Sequence, residues 1–149
     1  MLFRSRRPSV VVANSVINMP YRNQPAAVYD NAMNRTWLGI AAINGALAVI
    51  AGAFAAHGLQ AHVSLEGLSV FETGARYHMY HALAIALAAL VPARAAATAF
   101  LAGIVLFSGS LYVLALAGWH LMVFVTPIGG LCFIVGWVLL AWASFQGPI

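Results

Sequence analysis

The chain has 149 residues, 63% of them hydrophobic and 7% charged, with a mean hydropathy of +0.91. Soluble domains carry about 25% charged residues, so this composition excludes an ordinary water-soluble globule and points to a bilayer as solvent. All the basic residues are arginines, and the single cysteine, Cys132, excludes an internal disulfide and a cysteine-rich metal site.

Residues 1–33 differ from the rest. They are polar, interrupted by Pro8, Pro20 and Pro25, and carry Arg4, Arg6, Arg7 and Arg22. This composition predicts a disordered polar tail. The run Val10-Val11-Val12-Ala13 is too short for the apolar core of a signal peptide. Met33 reads as the natural start, because Met33-Asn34-Arg35-Thr36-Trp37 leads directly into the first apolar span. The basic excess reads as topology and headgroup contact. Outside the tail there is no basic stripe interleaved with aromatics, so a nucleic-acid partner is not expected.

Residues 34–146 form the predicted membrane domain. Four apolar spans follow one another at about 37–57, 75–91, 95–116 and 121–145. A helix crosses ~30 Å of hydrocarbon with about 17–25 residues. The links leave no room for an aqueous domain and force neighbouring helices to run in opposite directions. The predicted fold class is an all-α membrane protein, an antiparallel four-helix transmembrane bundle. The tail arginines and Arg94 fall on one side, whereas Arg76 is accompanied by Glu66 and Glu72 on the other. The positive-inside rule then predicts a multi-pass protein of the cell (inner) membrane with both termini cytoplasmic.

In the first span Ala41, Gly45, Ala48, Gly52 and Ala56 recur at helical spacing and predict a smooth face for close packing. In the fourth, Pro127 removes a backbone donor and is expected to kink the helix and free the carbonyl of Val123, with Gly129 and Gly130 absorbing the bend.

The polar residues concentrate at the second span. Ser69 and Glu72 have the spacing of a capping box, and Glu72 and Arg76 can pair at i,i+4, so all three read as a helix start at the membrane surface. His81 lies near the bilayer midplane by rise per residue. An ionisable group at that depth turns inward to a partner. Ser108 and Ser110 of the third span are the expected hydroxyl partners, and Asn44 reads as a separate interhelical contact. His78 and His81 share a helix face at i,i+3, a spacing that can ligate a metal. No carboxylate or cysteine stands beside them at ligand spacing, so no metal and no cofactor is expected. Ser108-Gly109-Ser110 lacks the strand–turn–helix context of a nucleophile elbow, and no phosphate-cradling loop occurs. No catalytic residue is assigned.

Five motifs occur in order: Gly52-Ala53-Phe54-Ala55-Ala56-His57-Gly58-Leu59, Thr73-Gly74-Ala75-Arg76-Tyr77, His81-Ala82-Leu83-Ala84, Leu106-Phe107-Ser108-Gly109-Ser110-Leu111-Tyr112 and Thr126-Pro127-Ile128-Gly129-Gly130. Through them the chain resembles the domain-of-unknown-function 423 family, small bacterial inner-membrane proteins related to the eukaryotic transmembrane protein 256. The resemblance covers Met33 to Phe145 and implies a multi-pass membrane protein. It also implies that Met33 is the usual start. Carried over by position, it implies a shared polar intramembrane site of His57, Tyr77, His81, Ser108, Ser110 and Thr126. The family pattern has glutamine where this chain has His78, which weakens a two-histidine metal site.

The leading expectation is a non-enzymatic membrane protein that acts by contact with lipid or a membrane-protein partner, or as a homo-oligomer. Two alternatives stay open. One is a small proton, ion or solute channel or carrier built on His81 and Pro127; the other is a haem- or metal-binding protein using His57 and His81.

Overall fold

The computed structural model describes residues 34–91 and 93–146. The polar tail, Met33 and Pro92 lie outside the described residues. Among the described residues the chain is helical, with no strand.

Helix α1 spans Arg35–Phe54 and runs on through a π-helical turn, Ala55–Leu59. Asn34 caps it by accepting from the amide of Trp37 at 3.4 Å. Helix α2 spans Leu65–Leu90. Helix α3, Arg94–Gly103, passes through a second π turn, Ile104–Ser108, into α4, Gly109–Ala117. Gly118 ends α4 at φ 66°, the left-handed conformation that glycine adopts without steric cost, and its amide closes onto Leu114 O. Helix α5 spans Met122–Gln146. Among the described residues three helical stretches are long and apolar enough to cross a membrane: Arg35–Leu59, Arg94–Ala117 and Met122–Gln146.

Helix α2 is as long but more polar, and it occupies the centre. It buries ten residues, against three for α5, whose large apolar side chains mostly face outward. The start of α1 is tied to the end of α2 by a bond from Asn34 N to Ala89 O at 2.8 Å. Two apolar clusters form. One gathers Ala41, Ala84, Ile85, Ala88, Ala96, Ala97, Phe100, Ile104 and Phe133. The other gathers Ala55, Leu59 and Phe71. On α2 the buried His78 and His81 lie between Phe71 of one cluster and Ala84 of the other.

Several expectations need correction. Ser69, Glu72 and Arg76 do not start α2. Ser64 does, accepting from Gly67 N at 3.1 Å, with Glu66 in the first turn where a carboxylate complements the helix dipole. Ser69 is interior, its carbonyl accepting from the Thr73 hydroxyl at 2.9 Å, and Glu72 and Arg76 are exposed. The capping-box spacing was a coincidence inside a longer helix, and the first link shrinks to residues 60–64. The small-residue face of α1 is only partly real. Ala41 and Ala48 are buried, but Ala56 is exposed and a Cβ on Gly45 or Gly52 would meet nothing within 4 Å. The working stripe is Ala41, Asn44, Ala48 and Ala55. Apart from these corrections, helix α5 carries Pro127 inside its length and runs on to Gln146. Its first turn is tightened, with the amides of Met122, Val123 and Phe124 bonding three residues back.

Candidate functional site

The polar layer divides into three groups. The first is a clasp across three helices. His78 on α2 is 7% exposed, its Nε2 lies 3.2 Å from Asn44 Oδ1 on α1, and its Nδ1 lies 3.3 Å from Tyr112 Oη on α4. Asn44 Nδ2 donates to Ile40 O at 2.8 Å, which leaves Asn44 Oδ1 as the acceptor. A neutral imidazole then donates from Nε2 to Asn44 and accepts at Nδ1 from the Tyr112 hydroxyl. Every polar atom of the chain Tyr112–His78–Asn44–Ile40 thus has a partner.

Local packing puts these groups in reach. Asn44 stands ten residues above Asn34 and His78 eleven above Ala89, or ~15 and ~16 Å from the bonded ends of α1 and α2. The Tyr112 side chain leans toward the N-terminus of its own helix, as long helical side chains do. That brings its ring down across Gly74. A Cβ on Gly74 would lie 2.9 Å from Tyr112 Cε1, so glycine makes the passage possible. Phe71 backs the ring at a centroid distance of 4.6 Å.

The second group surrounds His81, one helical turn along α2. Its ring stacks on Phe133 of α5 at a centroid distance of 3.3 Å and an interplanar angle of 5°. Phe100 stands at 5.8 Å, Tyr77 at 6.0 Å and Trp137 at 6.4 Å. His81 Nδ1 donates to Tyr77 O at 2.8 Å, a bond within its own helix. The carbonyl can only accept, so in the neutral ring Nδ1 carries the proton and Nε2 is an acceptor. Beside this ring a cleft of about 640 Å³ runs between α2 and α5, lined by Tyr77, Tyr80, His81, Phe107, Phe133 and Trp137, with Pro127, Gly130, Leu131 and Ile134 completing it.

The third group joins α4 to α5. Ser110 Oγ lies 2.8 Å from Thr126 Oγ1, while Ser110 also bonds Phe107 O at 2.9 Å and Thr126 bonds Met122 O at 3.0 Å. The Thr126 hydroxyl thereby reaches back into the helix start that Pro127 weakens. Ser108 is fully buried, and its Oγ is the buried side-chain polar atom without a partner among the described residues. In the π turn, Ile104 O accepts from Gly109 N.

The sequence-predicted site therefore separates. His81 does not bond Ser108 or Ser110; Ser110 meets Phe107 O and Thr126, Ser108 Oγ has no partner among the described residues, and His81 is held by Tyr77 O and by aromatic rings. His57 is exposed on the first π turn, away from the buried layer. Tyr77 and His81 do share a cleft, and Ser110 and Thr126 do meet. The clasp of Asn44, His78 and Tyr112 was missed as a unit, as were Phe100, Phe133 and Trp137. The cage has a readable signal: Tyr77 and His81, and Phe133 and Trp137, each stand at i,i+4 on one helix face. Among the described residues no group of three or more His, Cys, Asp or Glu side chains is placed to hold a metal ion.

With this geometry in view, known proteins can be compared. The family model described as "Protein of unknown function (DUF423)" matches residues 51–130. The UPF0382 membrane protein of Haemophilus influenzae is 44% identical over 120 residues, covering 76% of this chain and 97% of the relative. The chain belongs to the DUF423 family. The UPF0382 membrane protein SAB0533 of Staphylococcus aureus is 42% identical over 113 residues, covering 72% of this chain and 93% of the relative. The UPF0382 membrane protein YwdK of Bacillus subtilis is 39% identical over 120 residues, covering 75% of this chain and 98% of the relative. No solved structure matches. The DUF423 match holds His78, His81, Tyr112 and the second π turn, and it stops short of Asn44 on one side and of Phe133 on the other. These relatives are named membrane proteins, in keeping with the apolar helices found here.

Proposed function

We propose that this DUF423 protein is a non-catalytic antiparallel four-helix bundle of the cell inner membrane that acts by contact, holding a lipid-phase molecule against α2 and α5. The carrying observation is the cleft of about 640 Å³ beside His81. Ligand sites are concave, mostly apolar and about 300–1,000 Å³, with a few placed polar groups. This one has aromatic walls and an imidazole in its lining. The arginines of the tail and Arg94 support a cytoplasmic placement of both termini. The clasp ends on the Ile40 carbonyl within α1, which supports a role in holding the helices together over a relay through them.

The test is purification from native membranes in mild detergent, followed by mass spectrometry of the organic extract and of accompanying proteins. One lipid-phase molecule enriched to near-stoichiometric amount is expected. Bulk lipid alone, in the proportions of the membrane, would overturn the reading. A stoichiometric protein partner without such a molecule would replace it with a role in a membrane complex.

A further inference from the structure

We infer that the cleft between α2 and α5 takes a quinol, a neutral lipid-soluble ring bearing hydroxyl donors, with one hydroxyl bonded to His81 Nε2. The inference rests on the lipid-phase reading above and names the ligand class of the same cleft.

Three features of the cleft each narrow the occupant. The first is hydrogen-bond polarity. The His81 Nδ1 proton is committed to Tyr77 O at 2.8 Å, so the free ring atom, Nε2, accepts. Ser108 Oγ, not His81 Nε2, is the sealed polar atom lacking a partner among the described residues, and His81 lines the cleft. An acceptor open to an apolar groove calls for a ligand that donates. A ketone, ester or ether head would put an acceptor against an acceptor.

The second feature is depth. His81 stands nine residues from the end of α2 at Leu90, about 13–14 Å along the axis, close to the middle of a ~30 Å hydrocarbon layer. A charged headgroup is costly there. The polar end of the ligand must therefore be small and uncharged, which excludes phospholipids and ionised fatty acids.

The third feature is shape. Tyr77, Phe107, Phe133 and Trp137 provide flat walls, and the His81 ring is already fixed in a stack on Phe133 at 5°. Flat walls select a flat head, since offset and edge-to-face packing of rings adds to simple contact. Leu131, Ile134 and Pro127 give an aliphatic path for a tail. A hydroxyaromatic ring with an apolar tail meets all three conditions.

The experiment uses the full chain in phosphatidylcholine nanodiscs, kept anaerobic, with binding read by native mass spectrometry. The probes are a decyl-substituted benzoquinol, its dimethyl ether and hexadecanol. The quinol should bind at one per chain and about tenfold more tightly than the ether, which keeps the ring and loses the donors. His81→Phe keeps a stacking ring and loses the acceptor, so it should erase the difference between quinol and ether. Gly130→Leu narrows the cleft without touching His81. A Cβ there meets the Phe107 ring only at 3.8 Å, so the variant should fold and lose the quinol. Equal binding of quinol and ether, or an unchanged preference in His81→Phe, would overturn the hydrogen bond to His81. Hexadecanol binding as well as the quinol would overturn the aromatic head. A different molecule enriched from native membranes would leave the lipid-phase reading standing and remove this one.

Discussion

His78 and His81 are the same residue three positions apart on one helix, and they do different work. His78 turns toward α1 and α4 and meets polar partners on both sides, so its two nitrogens close a chain of hydrogen bonds. His81 turns toward α3 and α5 and meets Phe100, Phe133 and Trp137, so its faces are used and one nitrogen stays free. The difference lies entirely in the neighbours. In hydrocarbon, burial from water gives no drive for helices to associate, and close packing and hydrogen bonds replace it. His78 contributes bonds, and His81 contributes contact area together with an unspent acceptor. A histidine in this layer is therefore not marked out by its type; the free nitrogen is what distinguishes His81 from His78.

The two sites can be broken separately. The largest effect should come from Gly129→Leu, on the His81 side. A Cβ there meets the backbone of Phe107, which cannot swing away. Helix α5 would be forced off the π turn, and the loss should reach about 3 kcal/mol or more in thermal unfolding in detergent. At the clasp, His78→Leu strands the Tyr112 hydroxyl and the Asn44 amide and should cost about 2–3 kcal/mol. His78→Gln can donate and accept in their place and should cost less than about 1 kcal/mol. A double-mutant cycle between Asn44→Ala and His78→Ala should give a coupling of about 0.6–1.7 kcal/mol, the range of interhelical bonds in membranes.

At His81 the order of substitutions should reverse. His81→Phe keeps the stack on Phe133 and should be the mildest change. His81→Leu and His81→Gln lose it and should each cost about 0.5–1.5 kcal/mol more. If glutamine proved best at both positions, the contrast between the two histidines would collapse. Ser108→Ala removes a buried hydroxyl with no partner. It should raise the melting temperature, by an amount equivalent to about 1 kcal/mol. The smallest effect belongs to Gly45→Leu, which points into open space and should stay within about 0.5 kcal/mol.

Much of the helical plan was legible in the sequence. The first, third and fourth spans were placed within about two residues of their ends, because long apolar runs leave little choice of structure. The second was started ten residues late, at Ala75 instead of Leu65. Its polar first half reads as loop by hydropathy, and Ser69 with Glu72 imitates a cap. The site was legible as a list and not as a set of pairs. Asn44 reads as separate from the histidines when the first span is started at residue 37, whereas α1 begins at Arg35 and its cap Asn34 is bonded to Ala89. Three residues of error is about one helical turn, enough to separate true partners. The π turns had no compositional mark at all. Each adds a residue to an otherwise ordinary apolar helix, so depth along the rod does not tell which way Ser108 and Ser110 turn.

The second π turn has a further consequence. Residues after Ile104–Ser108 are rotated relative to those before it, so Phe100 and Tyr112 face their histidines only because the turn takes up the rod's one surplus residue. Deleting one residue of the turn would restore a regular helix and leave the downstream residues near their present phase, because the turn fits its surplus residue into the rotation of a regular one. Phe100 would stay beneath His81 and Tyr112 would still face His78, whereas regularising the helix at its present length would swing Tyr112 by about 100°. A one-codon shortening inside the turn is thus a change in gene length that the layer can absorb, and the spacing between Phe100 and Tyr112 becomes a quantity to read in any relative of this chain.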